Sequence, residues 1–180
     1  MKNILLISGS PRKGNTEFIL SSIYKAVKGE KELILLRNKK IGYCSGCLYC
    51  EKHSACSIND GMREIYEKIR KADVIIIGTP NYFDNVTGIL KVFMDRTNPF
   101  YNGGSTSELK GKKLVTIVVG GGKIKNSKRV GETALKYFSD AHDMELASQH
   151  YFKALGSKEV ETNPRNKNAI NKIIKKINTL

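Results

Sequence analysis

Five short apolar runs rich in β-branched residues, at 3–7, 32–36, 74–78, 114–119 and, more weakly, 145–152, alternate along the chain with helix-periodic segments. Phe18, Ile19, Ile23 and Val27 mark the first helix, Met62, Ile65 and Ile69 the second, and Leu90, Phe93 and Met94 the third. Val130, Leu135 and Phe138 mark a fourth, and Ile170, Ile173, Ile174 and Ile177 form an i, i+3, i+4, i+7 stripe in a last one. Strands that are apolar on both faces have no solvent side, so they predict a parallel sheet with helices packed on both faces.

Five strands rather than six predict an α/β, doubly wound, flavodoxin-like sheet of order 2-1-3-4-5, with its ligand beyond the carboxyl ends of the strands. The loops after the first, third and fourth strands are therefore where chemistry is expected. At 180 residues the chain suits a single domain over 1–180. No stretch approaches the roughly 20 apolar residues of a membrane span and no signal-peptide h-region is seen, so a cytoplasmic protein without a membrane partner is expected. The formal charge of +14 raises the question of nucleic acid. The cations are scattered, with modest clusters at 37–40 and 153–176, and no basic-aromatic alternation accompanies them. A solvated basic surface that docks an acidic redox partner is the expectation, and no nucleic-acid partner.

The loop after the first strand reads SGSPRKGNTE, residues 8–17. Gly9 and Gly14 permit a tight path, Pro11 stiffens it, Ser8, Ser10, Asn15 and Thr16 offer hydrogen bonds, and Arg12 brings a countercharge beside a helix N-terminus. Neither G-x-G-x-x-G nor G-x-x-x-x-G-K-[ST] fits, so a single phosphomonoester suits the loop better than a pyrophosphate or triphosphate. The plainer alternative is an ordinary turn in which Asn15 or Thr16 caps the helix. After the third strand, Pro80, Asn81, Tyr82 and Phe83 offer backbone N–H groups and aromatic faces to a planar ring, unless Tyr82 and Phe83 are core residues. After the fourth, Gly120 and Gly121 open a three-glycine loop suited to close backbone approach.

All four cysteines fall in CSGCLYCEKHSAC: Cys44-x2-Cys47-x2-Cys50-x5-Cys56. Zinc sites usually pair two C-x2-4-C knuckles across a longer spacer, whereas three cysteines at successive x2 spacings with a fourth nearby resemble the runs that wrap iron–sulfur cubanes. Zinc, with His53 as a further ligand, and a metal-free thiol loop are the alternatives. The motif lies in residues 37–60, a connection far longer than the roughly 2–6 residues usual between strand and helix, and is read as a cluster-binding insertion. Asn59 and Asp60, which follow the last cysteine, are read as non-ligands. His142 and His150 suit surface and packing roles equally, and no acid or base stands out.

SGSPRKGNT resembles the FMN phosphate loop of the NADPH-dependent FMN reductase superfamily, and the likeness extends over most of the chain. Pro80, Tyr82 and Phe83, with Gly88, Leu90, Lys91, Asp95 and Arg96, are similar to the superfamily segment that cradles the flavin ring, in which Val86 also falls. The 120–122 loop resembles its third flavin-side loop. With C-x2-C-x2-C-x4-7-C added, the chain resembles the narrower iron–sulfur flavoprotein family. That resemblance implies FMN and a 4Fe-4S cluster, a ferredoxin-like donor, a small acceptor such as O2, peroxide or a quinone, and a homodimer or homotetramer. A cluster-free NAD(P)H-dependent FMN or quinone reductase is the alternative, and a non-enzymatic RNA-binding or metal-sensing role is a third.

Overall fold

The computed structural model describes residues 2–101 and 106–180. Strands β1 (Asn3–Ser8), β2 (Glu30–Leu35), β3 (Val74–Pro80), β4 (Lys113–Gly120) and β5 (Glu145–Lys153) form one parallel sheet in the order β2-β1-β3-β4-β5, as expected. The helices are α1 (Asn15–Ala26), α2 (Tyr49–His53), α3 (Met62–Lys71), α4 (Gly88–Asp95), α5 (Ile124–Val130), α6 (Lys136–Ala141), α7 (Glu159–Thr162) and α8 (Pro164–Thr179). None of them is long and apolar enough to cross a membrane.

Alternation along the central strands feeds two cores. Leu5 and Ile7 of β1 and Ile75 and Ile77 of β3 face Ile65 and Ile69 of α3 and Leu90 and Phe93 of α4. Ile4, Leu6, Val74 and Ile76 face Ile19, Leu20 and Ile23 of α1 and Ile170, Ile173 and Ile177 of α8. Each such side chain contributes roughly 1.5–3 kcal/mol by leaving water, so the two layers fix the crossover helices against the sheet. Edge strand β5 buries only Phe152 among its nine residues, which is why its apolar signal is the weakest of the five.

The fourth helical pattern is a helix with a wide turn. A π-helical segment, Gly131–Leu135, joins α5 to α6, and its i to i+5 geometry carries Val130 and Leu135 to the same buried face.

His142, at the end of α6, is a buried packing residue, 2% exposed. Its Nε2 lies 2.9 Å from Thr97 Oγ1, and its Nδ1 lies 2.9 Å from Ser107 Oγ. Because the Thr97 hydroxyl donates to Met94 O, its oxygen accepts from His142 Nε2–H, and the Ser107 hydroxyl donates to Nδ1. That network holds the neutral ring, and burial lowers its pKa to about 4. The unfolded chain takes up a proton near pH 6.5 that the folded one refuses, so stability is full above that pH and is lost as pH falls toward 4. Urea denaturation of the wild type should therefore show roughly 2 kcal/mol less stability at pH 4.5 than at pH 7 from this residue. The slope should flatten in His142→Gln, and an equally steep slope in that variant would refute the assignment.

Candidate functional site

The sheet reverses its winding between β1 and β3, and the loops leaving these strands and β4 meet there. Gly9 N–H donates to Gly78 O at 2.8 Å, Thr87 Oγ1 to Gly9 O at 2.5 Å, and Asn81 N–H to Val119 O at 2.8 Å. Close approach demands glycine at two of these crossings. A Cβ on Gly9 would lie 2.8 Å from Leu90 Cβ, and one on Gly120 would lie 2.5 Å from Ser127 Oγ.

The first loop curls on its own side chains. Ser8 Oγ accepts from Ser10 N–H at 3.4 Å, and the Ser10 hydroxyl donates to Arg12 O at 2.7 Å. Asn15 does not cap α1. Its Nδ2 donates to Gly156 O at 2.6 Å and its Oδ1 accepts from Val160 N–H at 3.1 Å, which ties the loop to α7. Thr16 is buried, its Cγ2 packed against the backbone of Gly78. The cap of α1 is the extended backbone of Gly14, with no side-chain hydrogen bond. Neither Asn15 nor Thr16 therefore caps the helix, and the first-turn N–H groups of the 12-residue α1 follow the exposed Arg12, an arrangement that can hold an anion.

Pro80 and Asn81 lead into a two-residue hairpin in which Tyr82 and Asn85 exchange both backbone hydrogen bonds at 3.0 Å. Its tip, Phe83 and Asp84, has φ of 51° and 57°, left-handed values that cost a phenylalanine free energy. Neither aromatic is in the core: Tyr82 is 44% exposed and Phe83 fully so, whereas Val86 is buried. Arg129 of α5 holds the tip through Asp84 Oδ2 at 2.7 Å, while Gly120 lies against Asn81 and Ser127 and Gly121 against Leu155.

The four cysteines lie between β2 and α3, in a loop closed at its neck. Gly61 N–H donates to Lys40 O at 3.0 Å, and Gly42 N–H to Asp60 Oδ2 at 2.9 Å. Arg96 seals the neck: its Nη1 donates to Gly42 O and to Asp60 Oδ2, both at 2.7 Å, and its Nη2 to Asp60 Oδ1 at 3.1 Å. Arg96 therefore does not pair with its neighbour Asp95, which bonds Lys91 instead. Burial works against the charge of Asp60, but Arg96 and the N–H groups of Met62 and Gly42 outweigh it and hold the carboxyl below its ordinary pKa.

Left-handed residues at Gly46, Leu48 and Ser54 bracket the short helix α2 and turn the chain back on itself. Cys44, Cys47, Cys50 and Cys56 thereby line one cavity of about 350 Å³, walled also by Arg96, Pro99 and Tyr101. Burial pushes the Cys50 thiol up, and Cys56, Cys44 and Cys47 add to the effect, whereas a hydrogen bond from Ser57 lowers the exposed Cys47. Among the described residues no three His, Cys, Asp or Glu side chains converge tightly enough for a single metal ion. The thiols ring a space rather than meeting at a point. His53 is exposed and stacks on Tyr49 at 4.0 Å, outside that ring of sulfurs.

The sheet order and the loops gathered at its switch point are those of a flavodoxin-like protein. The chain belongs to the NADPH-dependent FMN reductase family, whose sequence profile matches residues 2–159. It is 46% identical over 97 residues to an iron–sulfur flavoprotein of Archaeoglobus fulgidus, a stretch covering 52% of this chain and 48% of that one. A second iron–sulfur flavoprotein of the same organism is 38% identical over 124 residues, covering 67% and 63%. The matched stretches thus span about half to two-thirds of these relatives' lengths. An NADH:FMN oxidoreductase of known structure shares the fold, with a TM-score of 0.67 at 19% identity over 97% of this chain and 87% of that one.

Proposed function

We propose that this protein is an electron-transfer flavoprotein that carries FMN at the switch point and a 4Fe-4S cluster in the cysteine loop. The observation that carries this reading is the single cavity lined by all four cysteines in a chain of the FMN reductase family. FMN stores two electrons and exchanges them singly, and a cubane exchanges one at a time, so the pair connects one-electron donors to two-electron acceptors.

The chain's own residues do the placing. Backbone N–H groups of residues 13–17, at the start of α1, and the Arg12 guanidinium attract the FMN phosphate, while Ser8, Ser10, Gly14, Asn15 and Thr16 hold the curl that aims them. Pro80, Asn81, Tyr82, Phe83 and Val86 set one side of the flavin, and Gly120 and Gly121 let the β4 loop approach the other. Cys44, Cys47, Cys50 and Cys56 hold the cluster, on sulfur donors whose spread around one cavity fits a group larger than a single ion.

Seven large aromatic or aliphatic side chains stand exposed beyond the carboxyl ends of the strands: Tyr43, Leu48, Tyr49, Tyr82, Phe83, Ile124 and Leu155. A second copy of the chain is the occupant that fits them, giving a homodimer or homotetramer. Exposed Arg12, Lys13, Lys123, Lys125, Lys128 and Lys158 surround the same end and favour an acidic, ferredoxin-like donor. The final acceptor is a small oxidant such as O2, peroxide or a quinone.

Stopped-flow reduction of the holoprotein by a reduced acidic ferredoxin should slow several-fold as salt rises from roughly 20 to 300 mM, because exposed charges are screened over about 10 Å at 0.1 M. A salt-independent rate would remove the acidic donor. Rapid flavin bleaching by NADPH, unchanged in Cys47→Ser, would point to the cluster-free reductase.

A further inference from the structure

Arg96 is a buried cation whose partners do not use all of its donors. It is 1% exposed, and its five N–H groups include an Nε–H that is buried without a hydrogen-bond partner among the described residues. One carboxylate faces it, Asp60, and that carboxylate is already shared with Gly42 N–H and Met62 N–H. Arg96 lines the cysteine cavity. Burial opposes its charge, and Asp60, then Tyr66 and Cys56, favour it. Clamping the loop neck needs only Nη1 and Nη2, and leaves unexplained a buried donor on a residue that lines the cysteine cavity.

We infer that Arg96 is a positioning and charge-compensating residue for the anionic iron–sulfur centre, an inference that rests on the cluster reading above. Through Asp60 and Gly42 it fixes the neck from which the cysteines project. Its fixed charge stands on a residue of the cavity wall, where thiolate ligands bring negative charge. A centre that gains negative charge on reduction is easier to reduce beside a buried cation, so Arg96 raises its potential and Asp60 lowers it.

The test is a redox titration of anaerobically purified holoprotein, wild type first, with iron per subunit measured on each sample. Arg96→Gln should shift the cluster midpoint to lower potential, and Asp60→Asn should shift it higher. Arg96→Lys, which keeps the charge and loses the fork, should stay near the wild-type midpoint while retaining less iron. Midpoints unmoved in all variants, or moved the same way in Arg96→Gln and Asp60→Asn, would reduce Arg96 to a loop clamp and overturn the inference. If Arg96→Gln holds no cluster, the inference stands on an upward shift in Asp60→Asn with Arg96→Lys unmoved, and falls without it. A wild type that holds no iron after reconstitution would overturn the cluster reading itself, a failure visible before any variant is made.

Discussion

Cys50→Ser, prepared without oxygen beside the wild type, should retain roughly a tenth or less of the wild-type iron while keeping its FMN. Cys50 sits on α2, partly buried, and its thiol is raised by desolvation and by all three other cysteines, which places it within electrostatic reach of each. A serine hydroxyl is similar in shape but does not offer a thiolate at neutral pH, so the change removes a ligand without opening a cavity. The fold should tolerate it, because residues 44–56 bury no helix face: α2 has no buried residue, and the neck is closed by Lys40, Gly42, Asp60, Gly61 and Arg96. The loops after β1, β3 and β4, proposed to hold the flavin, contribute nothing to the cysteine cavity, so flavin content should not follow iron content. Wild-type iron in the variant, by plasma emission spectrometry against protein concentration, would exclude Cys50 as a ligand.

Gly9→Val should weaken FMN binding by roughly 100-fold, the scale at which displacements of about 1 Å act on positioned groups. The added Cβ would stand 2.8 Å from Leu90 Cβ and 3.0 Å from Leu90 Cδ2. Leu90 is fully buried and belongs to the core between the sheet and α4, so it has no room to yield. The loop must lift instead, at the cost of Gly9 N–H to Gly78 O and Thr87 Oγ1 to Gly9 O. Overpacking of this kind costs about 1–3 kcal/mol, so a lowered urea midpoint should accompany the loss. Flavin fluorescence titration reads the affinity, and an unchanged Kd would show that the position of this loop does not set the flavin site.

The central strands were legible because β1, β3 and β4 are buried on both faces, a pattern that only a sandwiched parallel sheet requires. The strand order followed from strand number, and the glycine-rich first loop stood out because a turn does not need so many special residues. Long-range pairing was invisible. Asp60 and Arg96 lie 36 residues apart, and the motif that contains Arg96 gave no sign of a partner in the cysteine loop. Asp60, set aside as a non-ligand, proves to organise the cysteine loop. Asn15 was open to a capping reading because its tie to Gly156 and Val160 spans more than 140 positions. Helix α2 was missed because five residues between left-handed turns carry no periodicity. The same limit hid the pocket of His142, which is assembled from Thr97 and Ser107 on other segments.

The most direct measurement is the cofactor stoichiometry of protein purified and reconstituted without oxygen. An electron-transfer iron–sulfur flavoprotein should contain about four iron, about four sulfide and one FMN per subunit. One FMN with neither iron nor sulfide after reconstitution would contradict that reading and leave a flavin reductase whose cysteine loop holds no cluster.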